Sequence, residues 1–323
     1  MELIRGIHNI QPKHHGCVLT IGNFDGVHLG HQAVLRKVIA TAQSLGLPST
    51  VMSFEPQPQE LFAGDNAPAR LSRFRDKYLQ LREVGLERFF CVNFNHRFAN
   101  LSAEDFVRRL LVEQLGVKFL VVGDDFRFGK GRSGDFAYLQ AASKKYGFTV
   151  VSTQSFCVSE QRVSSTAIRQ ALANDDLELA ESMLGRPFSI SGRVSHGRKL
   201  GRTIGFPTAN VPLKRRVSPV SGVYAVDVYG VAATPLPGVA NVGRRPTVNG
   251  VRRQLEVHLF DFQSSLYGAQ IDVVLRHKLR DEVKFESFDA LKAQIERDAH
   301  SARVWLSERS NVQLRPSNGI ENQ

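Results

Sequence analysis

Cysteine is scarce. Cys17, Cys91 and Cys157 are the only three among 323 residues, odd in number and widely spaced. Each lies in or beside an apolar run, which predicts buried free thiols rather than a disulfide framework. No Cys/His spacing of the kind that holds a structural metal is present. No apolar run approaches the ~20 residues that cross a membrane. The first residues lack a basic start followed by an apolar core, so no secretory signal is expected. Together these absences predict a reducing, cytoplasmic setting. The pattern Gly-x-x-x-x-Gly-Lys-Ser/Thr is missing, which excludes P-loop chemistry. No helix-turn-helix pattern and no aromatic-rich RNA signature is found. Acidic residues are outnumbered, 31 against 42 Lys and Arg, for a net charge of +11. That surplus fits an anionic ligand (nucleotide, phosphorylated metabolite or nucleic acid) and equally a solvated basic surface; charge does not separate these.

What is present is ordinary globular material, long enough for two domains with real cores. Short apolar runs at Val18–Ile21, Thr50–Phe54, Phe89–Phe94, Phe119–Gly123 and Phe148–Thr153 alternate with helix patterns at Gln32–Leu45, Ser72–Val84, Ser102–Leu115 and Asp135–Tyr146. Alternation of this kind predicts a parallel sheet covered by helices, with ligands at the carboxyl ends of its strands. Helical patterns at Ser165–Ala173 and Leu177–Leu184 follow, and Gly185-Arg186-Pro187 breaks the pattern. The domain boundary is set there, giving a first domain over 1–185. Beyond it the runs Ile190–Val194, Gly222–Tyr229, Gly238–Val242, Leu255–Phe262 and Ile271–Leu275 read as strands of a small antiparallel barrel. A last helix is expected from Ser287 to about Ser307 with Ser287 as N-cap. The second domain covers 186–310, and 311–323 is a polar tail without internal repeats before it.

The stretch Thr20–Gln32 reads as strand, glycine-rich turn and helix N-terminus. Such a turn is a phosphate site, because unpaired N–H groups and the helix dipole meet the anion. Gly22, Asn23, Phe24, Asp25, Gly26, His28, Gly30 and His31 form the candidate nucleotide-binding turn. Its His28-x-Gly30-His31 spacing resembles the signature of the nucleotidyltransferase superfamily, which attacks ATP at its α-phosphorus. Both imidazoles can donate to phosphate oxygens, and Asn23 and Asp25 can position the nucleotide or its metal. Ser164, Ser165 and Thr166 precede a second helix with Arg169 one turn in. Alone, that is a helix cap and a surface arginine; paired with the His-x-Gly-His turn it points to triphosphate binding. In Gly123–Gly134, the residues Asp124, Asp125, Phe126, Arg127 and Phe128 start where a strand ends, and the two phenylalanines could flank a ring system. Gly129-x-Gly131-x-x-Gly134 imitates a dinucleotide fingerprint, but five residues separate it from the strand and no acidic residue ends the next one. A nicotinamide site is excluded.

The second domain carries a basic glycine-rich loop, Gly192 to Gly205, leading into Pro207-Thr208-Ala209-Asn210. Gly192, His196, Gly197 and Gly201 are candidates for wrapping phosphates. Thr208 and Asn210 offer hard oxygen ligands for Mg²⁺. The bland alternative is a flexible barrel loop with a turn proline. Glu256, inside an alternating strand, is the candidate base for phosphorylating an alcohol, with Asp261 the weaker alternative and an exposed glutamate without a role the plain one.

With both halves laid out, the chain resembles the prokaryotic bifunctional riboflavin kinase/FMN adenylyltransferase family (FAD synthetase). The matching segments are Gly22–His31, Phe54–Pro58, Gly123–Gly129, Ser164–Arg169, Gly205–Asn210, Gly222–Val226, Gly238–Thr247, Leu255–Phe262 and Leu279–Phe285. The resemblance implies an α/β nucleotidyltransferase-type parallel-sheet domain followed by a small antiparallel β-barrel with a C-terminal helix. It implies that the barrel domain phosphorylates riboflavin to FMN, and that the sheet domain adenylylates FMN to FAD with release of pyrophosphate. ATP and Mg²⁺ serve both reactions. Carried over by motif, His28, His31 and Arg169 handle ATP phosphates, Asp124 or Asp125 the flavin phosphate or metal, Glu256 the kinase proton, and Arg280 and Phe285 the kinase flavin. The loop Gln263-Ser264-Ser265 lacks the acidic and glycine residues common after this strand, as a loop tip can tolerate. Arg244 and Arg245 have no assigned role. The expected partners are small molecules, with no nucleic acid or membrane and at most weak self-association. Three other readings remain open: an adenylyltransferase with a degenerate barrel, a nucleic-acid-binding module, and adenylylation of a different phosphorylated substrate.

Overall fold

The computed structural model describes residues 1–153, 157–158, 161–196, 205–213, 217–247 and 250–313. Strands β1 (Glu2–Arg5), β2 (Cys17–Ile21), β3 (Ser49–Glu55), β4 (Arg88–Asn93), β5 (Val117–Gly123) and β6 (Thr149–Thr153) form one sheet. Their order is β1-β4-β3-β2-β5-β6, and its ladders are parallel. A parallel sheet must be covered on both faces, and β2 and β3 accordingly carry runs of buried residues. One face packs Leu19, Ile21, Met52 and Phe90 on Phe106, Leu110 and Leu111. The other packs Val51 and Phe89 on Leu35 and Leu81. Helix α1 (Leu29–Leu45) ends at Gly46, whose φ of 61° is the left-handed conformation of a helix stop. The helical stretch after Ser102 starts where the Ser102 hydroxyl accepts the Asp105 N–H at 3.0 Å. It winds as a π-helix from Phe106 to Gln114.

A short hairpin, β7 (Cys157–Val158) and β8 (Gln161–Arg162), precedes helices Ser165–Ala173 and Leu177–Leu184. The chain divides into two compact units, Met1–Ile168 with Ser182–Gly185, and Arg169–Glu181 with Arg186–Gln323. The second unit holds β9 (Ser189–Arg193), β10 (Ala209–Pro212), β11 (Gly222–Tyr229), β12 (Leu236–Thr247), β13 (Gly250–Leu259) and β14 (Gln270–Arg280). They run in the order β10-β13-β12-β11-β14-β9 and every ladder is antiparallel. A bridge between Ser195 and Asn210 nearly closes the barrel, with Ser195 N–H donating to the Asn210 carbonyl at 2.8 Å. Side chains alternate by the strand period. Tyr224, Val226, Val242, Leu255 and Val257 turn inward and are buried. Val223, Ala225, Val239 and Phe260 turn outward and are covered by Ala299, Ala302 and Leu306 of the C-terminal helix Phe288–Gln313. That helix starts at Ser287, whose hydroxyl accepts the Ala290 N–H at 3.1 Å. It continues to Gln313, into the stretch read from the sequence as tail.

Candidate active sites

The first site is the turn between β2 and α1. Its backbone is bent hard: Gly26 has φ 82°, and Phe24 and Val27, which are not glycines, have φ 46° and 39°. Asp25 is 1% exposed. Its carboxylate accepts the Leu71 N–H at 3.1 and 3.0 Å, the Ser72 N–H at 3.0 Å and the Ser72 hydroxyl at 3.2 Å. The side chain thus fixes the turn to the loop before helix Phe74–Glu83. Gly26 N–H donates to the Ser72 hydroxyl at 3.0 Å and completes the lock. A side chain on Gly22 would press on the Phe24 ring, 3.2 Å from its Cβ position.

His28 caps α1, its Nδ1 accepting the His31 N–H at 3.2 Å. An acceptor Nδ1 puts the proton of the neutral ring on Nε2, which makes Nε2 the donor. The His28 and His31 rings stack with centroids 3.5 Å apart, and Phe24 lies 4.9 Å from His31. Burial, then the neighbouring His28 and Lys77, push the His31 pKa well below the usual imidazole range. At neutral pH His31 is therefore an uncharged hydrogen-bonding group, not a cation.

The second expected element meets this turn. Ser165 Oγ donates to the Asp25 carbonyl at 3.0 Å. A Cβ on Gly30 would stand 3.4 Å from the Val163 carbonyl and 3.2 Å from the His28 ring, so glycine permits the approach. Ser164 caps its own helix, accepting the Ala167 N–H at 3.1 Å. Thr166 is exposed and Arg169 half-buried on the same helix. At the end of β5, Asp124 and Asp125 are exposed, and Asp125 stands 4.0 Å from the Arg162 guanidinium. Arg127 is exposed as well. Phe128 packs on Phe106 at 5.1 Å and Tyr138 at 5.7 Å. That puts Phe128 in the core rather than on a wall open to a ligand ring, and Phe126, stacked on it at 5.6 Å, is half-buried. Gly129 and Gly134 of the false fingerprint serve packing. Their Cβ positions lie 2.9 Å from Ala103 and 2.5 Å from the Phe128 ring.

The second site follows from register. Asn210 on β10 faces Glu256 on β13, Glu256 faces Asn241 on β12, Asn241 faces Val223 on β11, and Val223 faces Arg280 on β14. Directly opposed residues share a face, so one row carries an amide, a carboxylate, a second amide and a guanidinium across five strands. Over it lies a cavity of ≈ 390 Å³ whose lining includes Thr208, Glu256, Arg280, Phe285, Asn241 and His258. Thr208, Glu256, Arg280 and Phe285, expected from three separate sequence segments, are thereby brought together. Arg280 is held by Asp298 of the C-terminal helix, Nε at 2.9 and 3.1 Å and Nη2 at 2.7 Å, and its guanidinium lies 5.6 Å from the Phe285 ring centre. Burial lowers the His258 pKa below the ordinary imidazole value.

Thr208 also lines a second cavity of ≈ 360 Å³, with Val194, Pro207, Val257, Leu259 and the loop Phe262–Tyr267. Gln263, Ser264 and Ser265 are therefore wall residues of a cavity. His196 stacks on Tyr267 at 4.0 Å beside it. Asn210 is buried, its Nδ2 donating to the Thr208 carbonyl at 3.2 Å and its Oδ1 accepting from Gln254. Gly192 faces Ile271 inside the barrel wall and lines neither cavity. Asp261 pairs with Arg303 at 2.8 Å and is exposed, away from the Glu256 cavity lining. Gly197 and Gly201 lie outside the described residues.

Several residues were not expected. Phe54, Phe94 and Phe98 form an aromatic cluster at the carboxyl ends of β3 and β4, and Phe62, 67% exposed, leans on Phe94 at 6.0 Å. Phe62 is isolated in the sequence, so no local pattern announces its place beside this cluster. Asn241 and Asp298 depend on non-local register and packing. Lys77 had a visible sign: a lysine on the apolar stripe of Phe74 and Leu81.

A family model described as FAD synthetase matches residues 10–167, and one described as riboflavin kinase matches residues 184–306. The bifunctional riboflavin kinase/FMN adenylyltransferase of Escherichia coli (strain K12) is 62% identical over 307 residues, 95% of this chain and 98% of the relative. The enzyme so described from Haemophilus influenzae is 55% identical, over 95% of this chain and 100% of the relative. A crystal structure described as a macrolide-efflux protein from Streptococcus pneumoniae covers 94% of this chain and 100% of its own, at 30% identity and TM-score 0.78. Among the described residues, no helix is long and apolar enough to cross a membrane.

Proposed function

Because the chain belongs to the bifunctional riboflavin kinase/FMN adenylyltransferase family, we propose a division of its residues between the two reactions of that family. ATP phosphorylates riboflavin to FMN and ADP; a second ATP then adenylylates FMN to FAD, releasing pyrophosphate. The observation that carries the division is the cross-barrel row that sets Glu256 in one cavity with Thr208, Arg280 and Phe285. Riboflavin occupies that cavity, with Phe285 and Arg280 along its ring system. Glu256 accepts the proton of the terminal ribityl hydroxyl as that oxygen bonds to the γ-phosphorus and ADP leaves. ATP occupies the neighbouring cavity, and Thr208, common to both walls, marks where the phosphates meet the alcohol. The hydroxyl of Thr208 and the amide oxygen of Asn210 are hard donors that suit Mg²⁺, and Gln254 fixes that amide. The ion, when bound, neutralises phosphate charge.

In the first unit, His28, His31, the N–H groups of the turn and Ser164–Thr166 hold the triphosphate of the second ATP. The FMN phosphate oxygen bonds to the α-phosphorus in line with departing pyrophosphate. Its isoalloxazine lies on the Phe62–Phe94–Phe98 face, with Asp124, Asp125, Phe126 and Arg127 at its phosphate end. The cytoplasm is the proposed compartment, supported by the free buried thiols of Cys17 and Cys91. Burial pushes their pKa values up to about 12 and about 11.

The test separates the reactions. Glu256→Gln is expected to slow FMN formation at least ~100-fold and leave FAD formation from supplied FMN at the wild-type rate. A folded Glu256→Gln protein that phosphorylates riboflavin normally, or loses both activities, overturns the division.

A further inference from the structure

Lys77 is 1% exposed, one of the largest fully buried side chains of the protein. Burying an ammonium is costly unless its charge and its donors are matched. The residue sits on helix Phe74–Glu83, on the stripe where Phe74 and Leu81 pack against the sheet. A leucine or methionine would fill this position without electrostatic cost. The lysine makes a contact that neither could. Its Nζ donates to the Asn23 carbonyl at 2.6 Å and reaches the Ser53 hydroxyl at 3.4 Å. Ser53 Oγ donates to the same carbonyl at 3.1 Å. Asn23 lies at the entry of the His-x-Gly-His turn, immediately before Phe24 with its φ of 46°. Backbone of that kind is strained and persists only where the surroundings over-determine it.

We propose that Lys77 is a positioning residue for adenylyl transfer, its buried ammonium clamping the Asn23 carbonyl so that the Gly22–His31 turn keeps the shape that receives ATP phosphates. The proposal rests on the reading of that turn as the phosphate site. Two further features bear on it. Burial pushes the Lys77 pKa below the ordinary ammonium value; the Asp25 carboxylate, itself locked to Leu71 and Ser72, is the main charge opposing that shift, with Arg70 adding to it and Glu55 and Cys91 opposing it. The ammonium in turn acts with His28 to keep the proton off His31. Lys77 therefore bears on the shape of the turn and, after burial and His28, on the charge state of one of its imidazoles.

The test uses the full chain, with riboflavin phosphorylation measured on each preparation as an internal control of folding. For Lys77→Met, the kcat of FMN adenylylation is expected to fall about 100-fold, the cost of losing one preorganised polar group, while the kinase rate stays within about twofold. The acid limb of its adenylylation pH profile is expected to move to higher pH, because the cation that repels a proton from His31 is gone. A purely structural lysine would not move that limb. Should Lys77→Met fail to fold, Ser53→Ala decides: it removes the other donor to the Asn23 carbonyl and is expected to lower adenylylation kcat several-fold. Wild-type adenylylation kcat and an unmoved acid limb in folded Lys77→Met overturn the proposal, as does wild-type kcat in Ser53→Ala where that variant decides. His28→Ala separates this from the underlying reading. If it is inactive in adenylylation while Lys77→Met is normal, only the assignment of Lys77 falls; if it too is normal, the phosphate turn falls with it.

Discussion

Removing the Asp298 carboxylate should loosen both the C-terminal helix and the cavity proposed for riboflavin. Asp298 is 6% exposed. Its two oxygens accept three hydrogen bonds from Arg280 and one from Gln294 Nε2 at 2.8 Å. Arg280 keeps 22% of its side chain exposed, so water recovers part of the loss when the partner is removed. Breaking a fully buried ion pair costs about 3–5 kcal/mol, and partial exposure puts Asp298→Ala near the lower end, about 3 kcal/mol. For a unit of this size that is a fall of roughly 6–12 °C in the melting temperature of the barrel. Arg280 and Asp298 both line the cavity, so a released guanidinium should also raise the riboflavin KM, by about tenfold if one charge-assisted contact is lost. Calorimetry and initial-rate kinetics on one preparation check both numbers. FAD formation from supplied FMN should be unchanged. A variant with wild-type melting and wild-type riboflavin KM would refute the reasoning, because the pair would then neither anchor the helix nor order the cavity.

Phe62→Ala removes the exposed ring of the aromatic cluster and is expected to raise the KM for FMN in adenylylation about tenfold, the stacking loss of one aromatic contact, with riboflavin phosphorylation untouched. Equal KM values would remove the cluster from the flavin site. Acid should reveal the clamp at β1. Hydrogen bonds from Lys13 and His14 hold the Glu2 carboxyl down to about 2, from an ordinary value of 4.5. A carboxyl whose folded pKa is depressed stabilises above its unfolded pKa, and that contribution is lost as pH falls toward the folded one. The difference in melting temperature between wild type and Glu2→Gln should therefore be constant near neutrality and shrink as pH drops below 4.5. A difference that does not change with pH would mean that Glu2 acts through shape alone.

The turn between β2 and α1 was legible because its pattern is local: three glycines and two histidines fall within Gly22–His31. The strands β2 to β6 were legible because parallel strands covered on both faces are continuous apolar runs. Strand β1 was not, since Glu2 and Arg5 flank only two apolar residues. Strand β10 was hidden inside a motif, with Pro212 at its end. Glu256 could be nominated from its strand, but its neighbours Asn241 and Asn210 come from register, which no local pattern states. Asp298 is a further step away, set by how the last helix lies on the barrel. Phe128 shows the reverse failure. An aromatic residue in a glycine-rich loop looks ligand-facing, yet its packing on Phe106 and Tyr138 is decided by the fold.

The most direct measurement follows labelled ATP in the Glu256→Gln protein supplied with FMN and Mg²⁺. If one pocket transfers the outermost phosphate and a separate one cuts ATP beside its sugar, α-labelled ATP gives labelled FAD, γ-labelled ATP gives unlabelled FAD with the label in pyrophosphate, and added riboflavin stays unphosphorylated. Labelled FMN from γ-labelled ATP and riboflavin in this variant, or no FAD from FMN in a folded preparation, would contradict the account.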